Sequence, residues 1–282
     1  MKRELAGAVA IPIVLVILFK GPAILFNALV AVIALGAVWE FYRIAEKTGH
    51  PVAKTVGLAG SALLLGGAAL LWGSFRFETP AGDLVRVAVR TRPSFWFVAA
   101  LTIVFLAAIA PMASRVPPAS ALAGAASTIF GIVSIALPAT AMCLLRGRSP
   151  RVVLMLLLIV WVCDSCAYYF GRMFGRHPLA PMVSPKKTWE GSIGGLVGAT
   201  LFGAAAGTWW FLPELGPVRG ALAGALASTA GQIGDLVESL WKRGAGVKDS
   251  GTFLPGHGGF YDRIDSLLFA APVLAAFVGT GL

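Results

Sequence analysis

The chain has 282 residues, of which 57% are hydrophobic and only 13% are charged, and its mean hydropathy is +0.82. A soluble domain carries about 25% charged residues, so the composition excludes an ordinary soluble globule and predicts an all-α, polytopic integral membrane protein. The formal net charge is +10. In a membrane protein such a surplus sets topology and binds anionic headgroups or phosphates. It does not indicate nucleic-acid binding, because no basic stripe lies on a soluble fold.

Apolar runs predict about nine transmembrane helices, each close to the ~20 residues that cross the hydrocarbon. The first run follows Lys2 and Arg3, as a signal peptide would. We favour a retained helix, because no clear small-residue cleavage site follows and a second apolar run begins at once. The predicted spans are 5–19, 23–40, 55–73, 95–111, 121–145, 151–170, 191–213, 218–240 and 265–280.

Polar segments separate these spans. The segment 74–94 is compatible with a short amphipathic helix at the membrane interface or with a solvated loop, and 40–54 is predicted to be a loop. Nine spans place the segments 171–190 and 241–264 on one face with most of the basic residues, which predicts that this face is cytoplasmic. We expect about five N-terminal helices within 1–150, with no role assigned, and a C-terminal bundle over 151–282.

Glycines in the last spans recur at four-residue spacing, as in Gly203 and Gly207 or Gly220 and Gly224. Such spacing lets helix backbones approach closely in lipid. It predicts a compact C-terminal bundle, formed within one protomer or across a dimer.

A polar stripe marks the end of the span 218–240. Asp235, Glu238, Ser239 and Lys242 are spaced i, i+3, i+4 and i+7, so they share one helix face. Such a stripe on an apolar helix faces the protein interior or a wet cavity, and it serves either as ion pairs between helices or as a ligand site. Asp164, inside the span 151–170, is expected to face the same cavity.

A glycine-rich connection follows, from Gly244 to Tyr261. Glycines let a backbone approach a ligand closely, and with nearby Lys and Arg they commonly cradle phosphates. A merely flexible loop is the alternative. The absence of GxxxxGK[ST] and GxGxxG motifs excludes a P-loop or Rossmann site. The candidate residues here are Arg243, Lys248, Asp249, His257 and Arg263, with His257 as a base, a phosphate contact or a structural residue.

Asp262 and Asp265 lie three residues apart at the start of the last helix, so they can point to one side. Helix capping would explain them. Together with Asp235 they could instead supply the oxygen ligands that Mg²⁺ prefers.

An earlier polar segment, S-P-K-K-T-W-E over 184–190, places two lysines and two hydroxyls just before a helix. A helix N-terminus flanked by lysines is a natural anion site, although a positive-inside anchor is the alternative. The candidate residues are Ser184, Lys186, Lys187, Thr188 and Glu190.

These motifs resemble those of a known family. The stretch from Ser239 to Asp265, here called the signature segment, is similar to the signature of the phosphatidate cytidylyltransferases, also called CDP-diacylglycerol synthases. The blocks 164–171 and 184–191 resemble two further family blocks. The resemblance covers roughly 155–275, and nothing is carried over to the first 150 residues.

The resemblance implies that CTP and phosphatidic acid react to give CDP-diacylglycerol and pyrophosphate with Mg²⁺, the need for a second cation being open. It implies a homodimer in the bacterial inner membrane, with membrane lipid as a partner and the active site in 151–282 facing the cytoplasm. The implied roles are metal binding by Asp235, Asp262 and Asp265; charge neutralisation by Lys242, Arg243, Lys248 and Arg263; closure of the site by Ser184, Lys186, Lys187 and Thr188; and orientation of basic residues by Glu238 and Asp249.

Two alternatives stand beside this reading. A CTP-dependent polyprenol or dolichol kinase would also use basic residues and Mg²⁺, but it would transfer a γ-phosphoryl group. An ion-coupled transporter would use buried Asp and Lys groups, but it has no evident need for the cluster at one membrane face.

Overall fold

The computed structural model of the chain describes residues 2–72, 75–78, 84–87, 102–110, 117–208, 211–251 and 258–279. The helices are α1 (Lys2–Phe19), α2 (Ala23–Lys47), α3 (Lys54–Trp72), α4 (102–110), α5 (Pro118–Gly131), α6 (Leu137–Arg148), α7 (Pro150–Phe174), α8 (Trp189–Ala206), α9 (Pro217–Gly244) and α10 (Tyr261–Gly279). A π-helical turn, Ile132–Ala136, joins α5 to α6. The strands are β1 (Phe75–Glu78), β2 (Leu84–Val87), β3 (Pro178–Ala180) and β4 (Ser184–Thr188).

Three of these helical segments are long and apolar enough to cross a membrane: Ala23–Lys47, Pro118–Arg148 and Pro150–Phe174. Each exceeds the ~20 residues that a span needs. The chain is therefore a mainly helical integral membrane protein.

Two short antiparallel hairpins correct the all-α expectation. Phe75 pairs with Val87 in the β1–β2 hairpin, so an amphipathic helix is wrong for the strand residues of 74–94. Pro178 pairs with Thr188 in the β3–β4 hairpin, which occupies much of the predicted loop 171–190.

Helix α2 also departs from the expectation, because it continues to Lys47 where a loop was predicted from residue 40. Phe41, Tyr42 and Ile44 are buried along this extension. Their burial stabilises a helix that the neighbouring charged residues had concealed in the sequence.

The chain divides into two compact units. The first comprises Met1–Gly147 and Asp249–Tyr261. Tyr42 is fully buried in it, and its hydroxyl donates to the Thr128 carbonyl at 2.8 Å. A Cβ added at Gly57 or Gly131 would overlap the Tyr42 ring, so both glycines make room for it. The core of this unit therefore forms where α2, α3 and α5 meet around one tyrosine.

The second unit comprises Arg148–Lys248 and Asp262–Leu282. Within it α8 contacts both α7 and α9. A Cβ added at Gly203 of α8 would overlap the Gly220 carbonyl of α9, and one added at Gly195 would lie 2.8 Å from the Cys163 carbonyl of α7. The close helix approach predicted from the glycine spacing is confirmed within one chain.

Candidate active site

A cavity of about 400 Å³ lies within the second unit. It brings together Asp164 of α7, Lys186, Lys187 and Thr188 of the 184–188 segment, and Asp235 of the α9 stripe. Its lining residues are Asp164, Ala167, Tyr168, Gly171, Arg172, Leu179, Lys186, Lys187, Thr188, Gly191, Ser192, Gln232 and Asp235.

Thr188 fixes the lysine-bearing strand at the wall of this cavity. It is the N-cap of α8, and its side chain accepts the Gly191 N–H at 3.2 Å. A Cβ added at Gly191 would lie 2.7 Å from the Ala167 carbonyl, so the start of α8 rests directly on α7. Lys186 and Lys187 therefore sit beside a helix N-terminus, whose unpaired N–H groups and positive dipole end favour anions.

Lys187 joins the two polar segments that the sequence singled out. Its ammonium donates to the carboxylate of Asp235, 48 positions further along the chain. The Ser239 hydroxyl donates to the other oxygen of Asp235 at 3.5 Å. The side chains of Lys187 and Asp235 remain 31% and 32% exposed, so a ligand in the cavity can reach both.

Lys242 is a second ionic centre, and it is buried. Its Nζ lies 2.5 Å from Glu238 Oε2 and donates to Asp262 Oδ1 at 2.6 Å. The first contact follows from the i, i+4 spacing, whereas the second links α9 to the first turn of α10. A charge this deeply buried requires such partners.

Asp235, Glu238 and Asp265 form an acidic cluster in which one carboxylate oxygen from each residue lies within 4.8 Å of the others. Oxygen ligands of this kind suit a hard cation such as Mg²⁺. Asp164 interacts electrostatically with Asp235 and Lys187, and Asp262 pairs with Lys242, so both lie near this cluster.

Glu190 contacts the hairpin rather than the stripe. Its Oε2 accepts the backbone N–H groups of Arg176 and His177 at 3.1 and 3.3 Å, and its Oε1 lies 2.6 Å from His177 Nδ1. Hydrogen bonds from its own backbone N–H, from the His177 ring and from these two amides hold the pKa of Glu190 well below its ordinary value, at about 2. Glu190 thus fixes the start of the β3–β4 hairpin as an anionic residue.

The remaining candidates are mostly exposed. The Arg243 guanidinium donates to the carbonyls of Val183 and Val247 at 3.4 and 3.3 Å, and so connects α9 to the hairpin turn. Ser184 is half-buried at the start of β4, where it pairs with Ala180. Lys248, Asp249 and Arg263 are exposed, and His257 lies outside the described residues.

Glu40 was not among the residues predicted for the site, because it was expected to begin a loop. Glu40 lies on α2, is only 5% exposed and accepts three hydrogen bonds from the signature segment. A carboxylate at the end of an apolar run is the signal that could have identified it, because such groups are rarely left without a function or a partner.

A model of the Cytidylyltransferase family matches residues 1–280. The chain belongs to this family. The match includes the first 150 residues, to which the sequence resemblance carried nothing over. The family match therefore covers residues of both units.

Individual relatives match a shorter stretch. A phosphatidate cytidylyltransferase of Staphylococcus epidermidis is 43% identical over 136 residues, which are 46% of this chain and 49% of that protein. One of Staphylococcus aureus (strain COL) is 45% identical over 131 residues, and one of Staphylococcus haemolyticus is 45% identical over 129, with the same two shares. The chain spans about half the length of the curated relatives it matches.

Proposed function

We propose that this member of the cytidylyltransferase family transfers the cytidylyl group of CTP to phosphatidic acid, giving CDP-diacylglycerol and pyrophosphate. One observation carries the proposal: Lys187 from the hairpin and Asp235 from α9 meet at a cavity beside the acidic cluster, in an integral membrane protein. The names of the relatives favour this reaction over lipid phosphorylation by a kinase and over ion-coupled transport.

The proposed cofactor is Mg²⁺, held by Asp235, Asp262 and Asp265, with Glu238 adjacent. When bound, the cation would neutralise negative charge on the triphosphate as pyrophosphate separates from the α-phosphorus. Mg²⁺ usually takes only one or two carboxylates from a protein, and the acidic cluster offers three, so a second cation is also part of the proposal.

The chain's own residues bind and orient the reactants. A phosphate oxygen of phosphatidic acid attacks the α-phosphorus of CTP. The bond from that phosphorus to the oxygen that bridges the α- and β-phosphates breaks, and pyrophosphate leaves. The attacking oxygen is already anionic, so catalysis depends on positioning and charge stabilisation rather than on a strong base.

Lys186, Lys187 and the N-terminus of α8 are proposed to bind the phosphates. An ammonium has three donors, so Lys187 can keep its bond to Asp235 while donating to a phosphate oxygen. Arg243, Lys248 and Arg263 lie exposed along the signature segment and would neutralise further charge.

The finer topology is also a proposal. We propose about nine spans in a bacterial inner membrane, with the hairpin and signature segment on the cytoplasmic side and two copies forming a homodimer. The basic bias of that side supports it. Cysteines introduced at the exposed positions 176 and 248 should react with an impermeant thiol reagent only in inside-out vesicles.

The test uses the purified full chain in mixed micelles with CTP, Mg²⁺ and phosphatidic acid. Pyrophosphate release should require the lipid, and CDP-diacylglycerol should form in equal amount. Asp235→Asn should lower the rate by about 10²–10³-fold, since it removes charge at the reacting centre. Glu46→Gln, at an exposed ion pair with Lys54, serves as the matched carboxylate control and should leave the rate unchanged. Equal activity in Asp235→Asn and the control would refute the assignment of the site.

A further inference from the structure

Glu40 is a buried carboxylate that holds two separate parts of the signature segment. Its Oε2 accepts the Ser250 hydroxyl at 2.7 Å and the Tyr261 backbone N–H at 2.9 Å. Its Oε1 accepts the Phe260 N–H at 3.1 Å. These donors lie more than 200 residues from Glu40 in the chain, so the contact is a long-range anchor within the first unit.

Two glycines of the signature segment leave the space that this carboxylate fills. A Cβ added at Gly251 would overlap Glu40 Oε1, and one added at Gly259 would overlap both carboxylate oxygens. The close approach of backbone to carboxylate therefore requires glycine at these two positions. From the sequence, the glycines of this connection were expected to form a phosphate cradle or a flexible loop, and the structure gives these two a packing role.

The face of α2 around Glu40 also receives the side chains of the anchored residues. A Cβ added at Gly36 would overlap the Phe260 ring, and the Tyr261 ring meets Phe41 edge-on, with centroids 6.4 Å apart. Tyr261 is 2% exposed. One strip of α2 thus fixes the backbone and the rings of Phe260 and Tyr261 together.

Tyr261 is the first residue of α10, whose opening N–H groups lack partners within the helix. Glu40 supplies an acceptor and a negative charge at this helix end, where both are favourable. Asp262 and Asp265 follow one and four residues further along the same helix. A shift of the first turn of α10 would therefore be passed to both aspartates.

We propose that Glu40 is a positioning residue for cytidylyl transfer. It fixes Ser250 and the start of α10, and through the helix it sets where Asp262 and Asp265 lie. The inference rests on the proposed function for its kinetic consequence, whereas the anchor itself does not depend on it.

The decisive variant is Glu40→Gln, which keeps the shape of the side chain but replaces one acceptor oxygen with a donor. Hydrogen exchange measured on the peptide containing Phe260 and Tyr261 should become at least tenfold faster. The Mg²⁺ concentration for half-maximal activity should rise about tenfold or more, as expected when support for a metal ligand is lost, and kcat should fall by about 10–100-fold from misplacement of the reacting groups.

Glu46→Gln is the matched control, because it makes the same substitution at an exposed position of the same helix. It should match the wild type in all three measurements. Glu40→Asp keeps the charge but shortens the side chain, so it should fall between wild type and Glu40→Gln. Gly259→Ala should reproduce the effect of Glu40→Gln, because its methyl group displaces the carboxylate.

If Glu40→Gln only reduced the amount of folded protein, the rate would fall in proportion to that amount. The Mg²⁺ requirement and the hydrogen exchange of the folded molecules would then stay unchanged, and this result would overturn the proposal. Wild-type exchange and Mg²⁺ requirement in Glu40→Gln would also overturn it. If Glu40→Gln does not fold, the same criteria apply to Glu40→Asp and Gly259→Ala. If the wild type forms no CDP-diacylglycerol, the proposed function fails, and the exchange comparison still decides whether Glu40 anchors the segment.

Discussion

Lys242→Met is expected to destabilise the protein strongly, because it leaves two carboxylates without their shared cation. Lys242 Nζ lies 2.5 Å from Glu238 and 2.6 Å from Asp262. The side chains are 11% exposed for Lys242, 1% for Glu238 and 8% for Asp262. The three groups therefore fall in the regime of buried ion pairs, where removal of one partner costs about 3–5 kcal/mol.

The measurement is the thermal unfolding midpoint of purified protein in detergent. For a chain of this size each kcal/mol corresponds to roughly 2–4 °C, so the midpoint should fall by about 6–20 °C. Adding Glu238→Gln to Lys242→Met removes one of the stranded charges and should recover part of the loss. A further decrease in the double variant would contradict the reasoning.

Lys54→Met is the matched control, because it also breaks a lysine–carboxylate pair, but an exposed one. Lys54 and Glu46 are 25% and 41% exposed, so the pair contributes about 0–1 kcal/mol. Lys54 also lies 4.8 Å from the Trp39 ring centre, a contact worth roughly 0.5–1 kcal/mol. A loss in Lys242→Met no larger than in Lys54→Met would refute the assignment of Lys242 as a buried ionic centre.

Three other outcomes are expected. Asp265→Asn should raise the Mg²⁺ concentration for half-maximal turnover at least about tenfold, and an unchanged Mg²⁺ titration would remove Asp265 from the proposed ligands. EDTA should stop the wild-type reaction until Mg²⁺ is restored. Lys187→Met should raise the KM for CTP by roughly 10–100-fold through loss of a charged hydrogen bond to phosphate, and steady-state kinetics with an unchanged KM would exclude that contact. Gly203→Ala should lower the free energy of unfolding by about 1–3 kcal/mol, because its methyl group would overlap the Gly220 carbonyl. The control is Gly66→Ala, whose methyl group meets nothing within 4 Å and should be neutral or stabilising. Equal effects of the two substitutions in thermal unfolding would contradict the close packing of α8 on α9.

Short-range spacing predicted which polar side chains of α9 lie next to one another. The i, i+4 relation anticipated that Lys242 and Glu238 share a face, and the structure pairs them at 2.5 Å. The same rule anticipated the contact between Ser239 and Asp235. These predictions succeeded because helix geometry alone fixes which side chains are neighbours.

Long-range contacts were less accessible. The sequence indicated that two polar segments converge, but not that Lys187 bonds to Asp235 or that Asp262 bonds to Lys242. Glu40 was missed because polar residues after an apolar run resemble a loop, whereas burial of its neighbours keeps α2 helical to Lys47. The β3–β4 hairpin was missed because its strands, Pro178–Ala180 and Ser184–Thr188, are short and show no alternating hydrophobicity.

The proposed reaction transfers the α-phosphorus of CTP, together with its nucleoside, to the lipid. The most direct measurement follows CTP labelled separately at the α- and γ-phosphates, with purified protein, Mg²⁺ and phosphatidic acid. The α label should enter the lipid fraction as CDP-diacylglycerol, while the γ label should leave as pyrophosphate. Transfer of the γ label to lipid with release of CDP, or no lipid-dependent turnover of either label, would contradict it.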